Sequence, residues 1–210
     1  MALKRGEREN RVFIIIAVII IVVIILTVFF SSNTLTKAII EDNILGSYWF
    51  EDIYERKEES HLLGLEKWAS FTYINNDDSY PAYVTITTIK LLFMMSEDDL
   101  LTKTDETINR ASGQDIFIDN DTRVIGEREI KRGHITTYIM YDGNDTSNGK
   151  FEKIKIIGET WNCGNSGTSI ICIGFAQITN YANNNSEINT TYWEKIIGNQ
   201  DGLIFNVKCH

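Results

Sequence analysis

The sequence predicts an α+β fold: a mainly antiparallel β-sheet domain flanked by helices, carried behind one N-terminal transmembrane helix. Three observations lead there. Residues 12–30, VFIIIAVIIIVVIILTVFF, contain no charge, proline or glycine. The chain beyond them runs in aromatic and β-branched stretches separated by turns rich in Asn, Asp and Gly. Within that β pattern two stretches, near 97–111 and 190–198, read as helices, which makes a layered α+β arrangement.

The first eleven residues hold Lys4, Arg5, Arg8 and Arg11 against Glu7 and Glu9, a net of +2. Residues 12–30 would form a helix about 28 Å long, close to the roughly 30 Å hydrocarbon core of a bilayer. A helix apolar on every face does not suit the surface of a small domain. The cationic flank assigns 1–11 to the cytoplasm and the rest to the outside. The apolar run exceeds the ~7–15 residues of a cleaved signal peptide, and no Ala-x-Ala-like site follows it. It therefore reads as an uncleaved signal-anchor in the cell membrane. Residues 31–46 form a juxtamembrane stalk, in which Leu35–Leu45 reads as an amphipathic helix closed by Gly46. Residues 47–210 form one extracytoplasmic domain without a low-complexity linker or an internal repeat.

The formal net charge is −9, so removing the +2 of residues 1–11 leaves −11 on the remainder. Such an acidic domain is a poor match for nucleic acid or an anionic membrane surface. A protein partner outside the cell remains open, and so does simple solubility. Four N-x-[ST] triplets, beginning at Asn120, Asn144, Asn184 and Asn189, fall in stretches that read as loops and are glycosylation candidates.

Within the domain, Tyr48, Phe50 and Tyr54 share one parity of a first strand. Glu66–Ile74 and Ala82–Phe93 flank the turn NNDDSYP and form a hairpin. Ser96, with Asp99 three residues on, caps a helix over 97–111. Strands follow at Thr122–Ile130, His134–Tyr141, Lys153–Cys163 and Ser169–Thr179. An Asn-rich loop then leads to the short helix TTYWEKIIG. This order, with AYVTITTIKLLFMMSEDDLLTKTDETI, the meander through IKIIGETW and IICIGFAQI, and the closing YWEKIIG, resembles the Mog1/PsbP-like fold over roughly 66–200. The resemblance implies an antiparallel sheet flanked by helices and a binding, assembly or accessory role. It carries no diagnostic motif, and fold alone does not assign function.

Cys163 and Cys172 lie in WNCGNSGTSIIC. Outside the cytoplasm a disulfide is the expected chemistry. A type II′ turn at Gly167-Thr168 makes the two cysteines a non-hydrogen-bonded pair about 4.5 Å apart at Cα, within disulfide reach, and sets Trp161 opposite Gly174. The rival register, a four-residue GNSG loop, places Cys163 opposite Thr168 and leaves the two thiols apart. Cys209 is free, bonded to a second chain, or joined to either other cysteine. Cys163, Cys172, Cys209 and His210 have the inventory of a zinc site. Adjacent Cys-His and the lack of a CxxC or HxxxH knuckle argue against it, so no metal is expected.

No cofactor motif, phosphate loop or serine-hydrolase elbow is present. His134, beside Lys131 and Arg132, is the one weak catalytic candidate, with Glu127, Glu129 or an aspartate as its carboxylate. Asp142, Asn144 and Thr146 alternate like calcium-loop ligands, but Ser147 and Lys153 occupy positions that need Gly and Glu. Trp49, Trp68, Trp161 and Trp193 are candidates to line a ligand groove, or simply core. The leading expectation is a single-pass protein displaying a non-catalytic binding or assembly domain at the cell surface. A membrane-tethered hydrolase using His134 and a structural envelope protein, dimerised through Cys209, are the alternatives.

Overall fold

A computed structural model describes Ile20 and residues 34–61, 64–113, 115–147, 149–185 and 187–210. The cytoplasmic segment expected at 1–11 and the membrane-spanning run at 12–30, Ile20 apart, lie outside these residues. Among the described residues no helix is long and apolar enough to cross a membrane.

Seven strands form a single antiparallel sheet: β1 (Trp49–His61), β2 (Glu66–Asn75), β3 (Ala82–Lys90), β4 (Ile116–Glu129), β5 (Ile135–Asp145), β6 (Glu152–Cys163) and β7 (Thr168–Gln177). Their spatial order is β1-β2-β3-β7-β6-β5-β4. The chain lays down three strands as a meander and crosses to the far edge through the helix α2 (Glu97–Ala111), α1 being the single turn Asp42–Leu45. A second meander, β4 to β7, then returns until β7 pairs with β3. The helix α3 (Thr191–Ile197) follows. The antiparallel sheet with flanking helices is thus the expected α+β arrangement.

α2 covers one face, and its start follows the expected chemistry. The Asp99 N–H donates to Ser96 Oγ at 3.1 Å, while Ser96 Oγ donates to Asp99 Oδ2 at 2.6 Å, satisfying an otherwise orphan helix-start donor. Leu100, Thr104 and Ile108, four residues apart, are the side chains it buries. Ile108 packs with Ile139, Ile154, Ile156 and Phe175. The helix approaches so closely over Gly158 that a Cβ there would lie 2.9 Å from Ile108 Cδ1 and closer still to Thr104 Cγ2.

The opposite face is covered by pieces from both ends of the described chain. Ala38 and Ile40, Trp193 and Ile196 of α3, and Leu203, Ile204 and Val207 bury against Phe71, Ile86, Ile157 and Ile170. Here the expectation of a helical stalk is corrected. Residues 34–41 are extended and only Asp42–Leu45 is helical. Ile39 and Lys208 exchange backbone hydrogen bonds of 2.8 and 3.0 Å. The Ile40 N–H donates to the Tyr73 hydroxyl at 3.1 Å, and burial pushes that phenol up to about 12. An amphipathic segment with a sheet to lie on buries Ala38 and Ile40 better as a strap than as a detached helix.

Two buried carboxylates hold this architecture together. Glu159, wholly buried on β6, takes both oxygens to Arg128, at 2.8 Å from Nε and 2.6 Å from Nη2. The Thr136 hydroxyl donates to the same carboxylate, while Arg128 Nη1 donates to the Ile197 carbonyl at 2.5 Å. Satisfying every oxygen is what makes a buried charge tolerable. Glu152 accepts from the Thr179 hydroxyl and from the backbone N–H groups of Tyr181 and Ala182.

Several strand limits differ from expectation. β4 begins at Ile116, because the polar Asp119–Thr122 stretch is an irregularity inside a strand; Thr122 Oγ1 donates to the Asp119 carbonyl there at 2.6 Å. β5 runs on to Asp145, because Asp142 and Asn144 pair across the sheet with Lys155 and Lys153. Asn120 and Asn144 consequently lie in strands rather than loops, whereas Asn184 and Asn189 do lie in the connection after β7. The calcium-like alternation at Asp142 is strand, and Asp142 is ion-paired to Lys155 at 2.6 Å.

Candidate thiol and imidazole site

The expected cysteine pairing is overturned by the register of the β6–β7 hairpin. Cys163 faces Thr168, Trp161 faces Ile170, and Cys172 faces Glu159. The connection is the four-residue GNSG turn, with Gly167 at φ +63° and its N–H donating to the Cys163 carbonyl at 2.9 Å. Both registers put the same side chains on the same faces, so the alternating pattern did not discriminate between them. Cys172 is displaced four residues along the hairpin, roughly 13 Å, and cannot reach Cys163. It is a buried free thiol, and burial, aided by Glu159, pushes its pKa well up. Gly174 is occupied otherwise than expected: a Cβ there would lie 2.5 Å from Ile196 Cγ2, so the glycine admits α3.

Cys163 is instead joined to Cys209 in a disulfide, with Cα atoms 6.6 Å apart. Both sulfur-bearing residues are completely buried. Cys209 is therefore neither a free thiol nor a link to a second chain.

Three segments converge to build the surroundings of this bond. Cys163 ends β6 on the strap-covered face, beside Trp161. Cys209 is carried there by the C-terminal strap, which Lys208 fixes to Ile39 by backbone bonds and to Glu41 Oε1 by a 2.8 Å ion pair. His134 is delivered by the tight β4–β5 turn. Gly133 takes φ +76° there, its N–H donates to the Ile130 carbonyl, and the Ile130 N–H donates to the His134 carbonyl. Lys131 then ties the turn to the strap, through its N–H to the Phe205 carbonyl and its Nζ to Asn206 Oδ1.

The result is a cluster of two sulfurs and two imidazoles. His134 Nε2 lies 3.3 Å from Cys209 Sγ and 4.0 Å from Cys163 Sγ. His210 Nδ1 lies 3.4 Å from Cys163 Sγ and 3.5 Å from Cys209 Sγ. One candidate ligand atom from each of the four residues falls within 4.8 Å of all the others. The His134 ring also stacks near Trp161, at 6.4 Å between centroids. Burial, followed by the nearby His210 and Arg132, holds the His134 pKa below its usual value, which favours the neutral ring with a free lone pair.

This geometry redistributes the sequence candidates. Among the described residues no hydrogen bond or ion pair joins His134 to Glu127 or Glu129; its ring nitrogen addresses sulfur instead. Trp49, Trp161 and Trp193 are buried in the main core, and Trp68 packs against Ile89, Leu100 and Ile171 on the α2 face; of the four, Trp49 also borders an open surface hollow beside Leu45, Phe50 and Tyr73. The zinc inventory weighed from sequence had three of the four clustered residues, Cys163, Cys209 and His210, with Cys172 in place of His134. The signal for His134 was its position: a strand-end residue after a Gly turn, at the same sheet end as Cys163. A scan of protein-family models, a search of curated proteins and a search of solved structures each found no match to this chain.

Proposed function

We propose that the chain is a single-pass membrane-anchored protein whose extracytoplasmic domain works by non-catalytic binding or assembly, with one end of its sheet held close to the bilayer. The observation that carries this reading is an apolar loop beside the start of the strap. Leu92, Phe93 and Met94 are 51, 79 and 47% exposed. The neighbouring Lys90 Nζ donates to the Thr34 carbonyl at 2.9 Å. Thr34 lies four residues beyond Phe30, the last of the apolar run, a span of at most about 14 Å. The loop is also fastened to the β6–β7 hairpin, since the Met95 carbonyl accepts from Asn162 Nδ2 and its N–H donates to Ser169 Oγ. Exposed aliphatic and aromatic groups at that distance from an anchor suit the interfacial region of a membrane.

The non-catalytic half of the reading rests on how the ionisable groups are engaged. Glu159 and Arg128 saturate each other, and Glu152 caps a turn. Asp105, Tyr141 and Arg123 form a structural triad, with Tyr141 donating to Asp105 at 2.6 Å. The resemblance in element order to Mog1/PsbP-like proteins supports a binding or accessory role. Protease added to intact cells is expected to remove the domain and leave the anchor behind. A domain that resists until the cells are broken overturns the reading.

A further inference from the structure

We propose that His134, Cys163, Cys209 and His210 are a second-state metal site: once the Cys163–Cys209 bond is reduced, the four side chains bind one zinc-class divalent ion. The proposal is independent of the membrane anchor.

The ligand set is Cys2His2, the combination that closed tetrahedral zinc sites use. A tetrahedral ion with sulfur at about 2.3 Å and nitrogen at about 2.05 Å separates a sulfur from a nitrogen ligand by about 3.6 Å. The four sulfur–nitrogen distances here are 3.3, 3.4, 3.5 and 4.0 Å. Each imidazole nitrogen therefore already stands within about 0.4 Å of the distance from sulfur that such an ion sets. What has to change is the sulfur pair, which must open to about 3.8 Å, the separation of two tetrahedral thiolate ligands.

The backbone accommodates that opening. The two cysteine Cα atoms are 6.6 Å apart, near the wide end of the span that a disulfide bridges. Cys209 sits on a strap bonded through Ile39 and Lys208, not in the interior of the sheet. His210 is exposed and can follow the sulfur, while His134 is fixed by its turn.

The exchange balances with a dithiol as reductant. Its two sulfurs supply two electrons, the Cys163–Cys209 S–S bond breaks, and the dithiol closes to its own disulfide. Zn2+ then takes both cysteine thiolates and the lone pairs of His134 Nε2 and His210 Nδ1, and two protons leave to solvent. An oxidising compartment keeps the disulfide, and a reducing one with available metal favours the zinc form. In both states the strap stays clamped to the end of β6.

The test uses the full chain in detergent, reduced with a dithiol, freed of it anaerobically, and titrated with Co2+ or Zn2+ alone. Reduced protein is expected to take one Co2+ per chain, with thiolate-to-cobalt charge-transfer and tetrahedral ligand-field absorption, and Zn2+ is expected to raise its Tm. The oxidised chain should do neither. His210→Ala alters an exposed side chain, so the fold should survive while Co2+ binding weakens by at least about tenfold, as loss of even an outer-shell partner does. Cys172→Ala should bind unchanged. Reduced chain that keeps its circular dichroism yet gives no thiolate–cobalt absorption overturns the proposal. So does His210→Ala binding as tightly as wild type, or oxidised chain binding as well as reduced.

Discussion

One face of the sheet is covered by α2, fifteen consecutive residues whose buried side chains recur every fourth position. The other face is covered by residues 35–45, α3 and residues 203–209, brought together from positions more than 150 residues apart. The first cover is one contiguous helix, made by a cap and an amphipathic repeat, that lies over Gly158 and is tied to the sheet by Asp105 through Tyr141 and Arg123. The second depends on long-range fastening by Arg128–Glu159, the Ile39–Lys208 bridge and the Cys163–Cys209 bond. The thiol and imidazole cluster belongs to the second face. Where the cover is assembled from separate segments, polar and covalent devices supply the fixing that chain continuity supplies within α2.

The sharpest way to break the comparison is to remove one fastening of the second face. Arg128→Met leaves Glu159 fully buried without its guanidinium partner, and should cost about 3–5 kcal/mol in chemical denaturation. A loss below about 1 kcal/mol would mean that the pair is not what pins α3. Next, Cys209→Ser opens a crosslink spanning 46 residues, which the chain-entropy relation values at about 4 kcal/mol for oxidised protein. Reduced wild type without metal should match the variant, and equal stability of oxidised and reduced wild type would contradict the bond's role.

A matched pair sharpens the comparison further. Gly158→Ala drives a methyl into α2, and Gly174→Ala drives one into α3, each costing about 1–3 kcal/mol through overpacking. Only Gly174→Ala should also reduce the yield of the Cys163–Cys209 bond on reoxidation, read by thiol titration. Equal yields would show that the two covers are not independent. The smallest effect belongs to the local face: Ser96→Ala removes the α2 cap and should cost about 1 kcal/mol, with the disulfide unaffected.

The legible parts of the fold follow this division. The limits of α2 were readable from Ser96 and Asp99 because a cap is a four-residue event. The hairpin of β2 and β3 was readable because aromatic and β-branched runs flanked an Asn-Asp turn. The amphipathic pattern of Leu35–Leu45 predicts a helix, but its apolar side lies on the sheet instead. Asp142–Asp145 reads as a loop because Lys155, which pairs with Asp142, lies a strand away. The cysteine pairing was the hardest. A two-residue turn and the four-residue GNSG turn preserve the same parity, so periodicity carried no information about which sulfur lies within reach.

By itself the chain's order of residues determined the antiparallel α+β character, the capped helix, the number of strands and the apolar run at 12–30, because each depends on neighbours within a turn or a hairpin. The tertiary structure alone decided that Cys163 meets Cys209 rather than Cys172, and that His134 and His210 flank them. Those partners come from a turn, a strand end and a strap that become neighbours only when the sheet closes and the strap lies down across it.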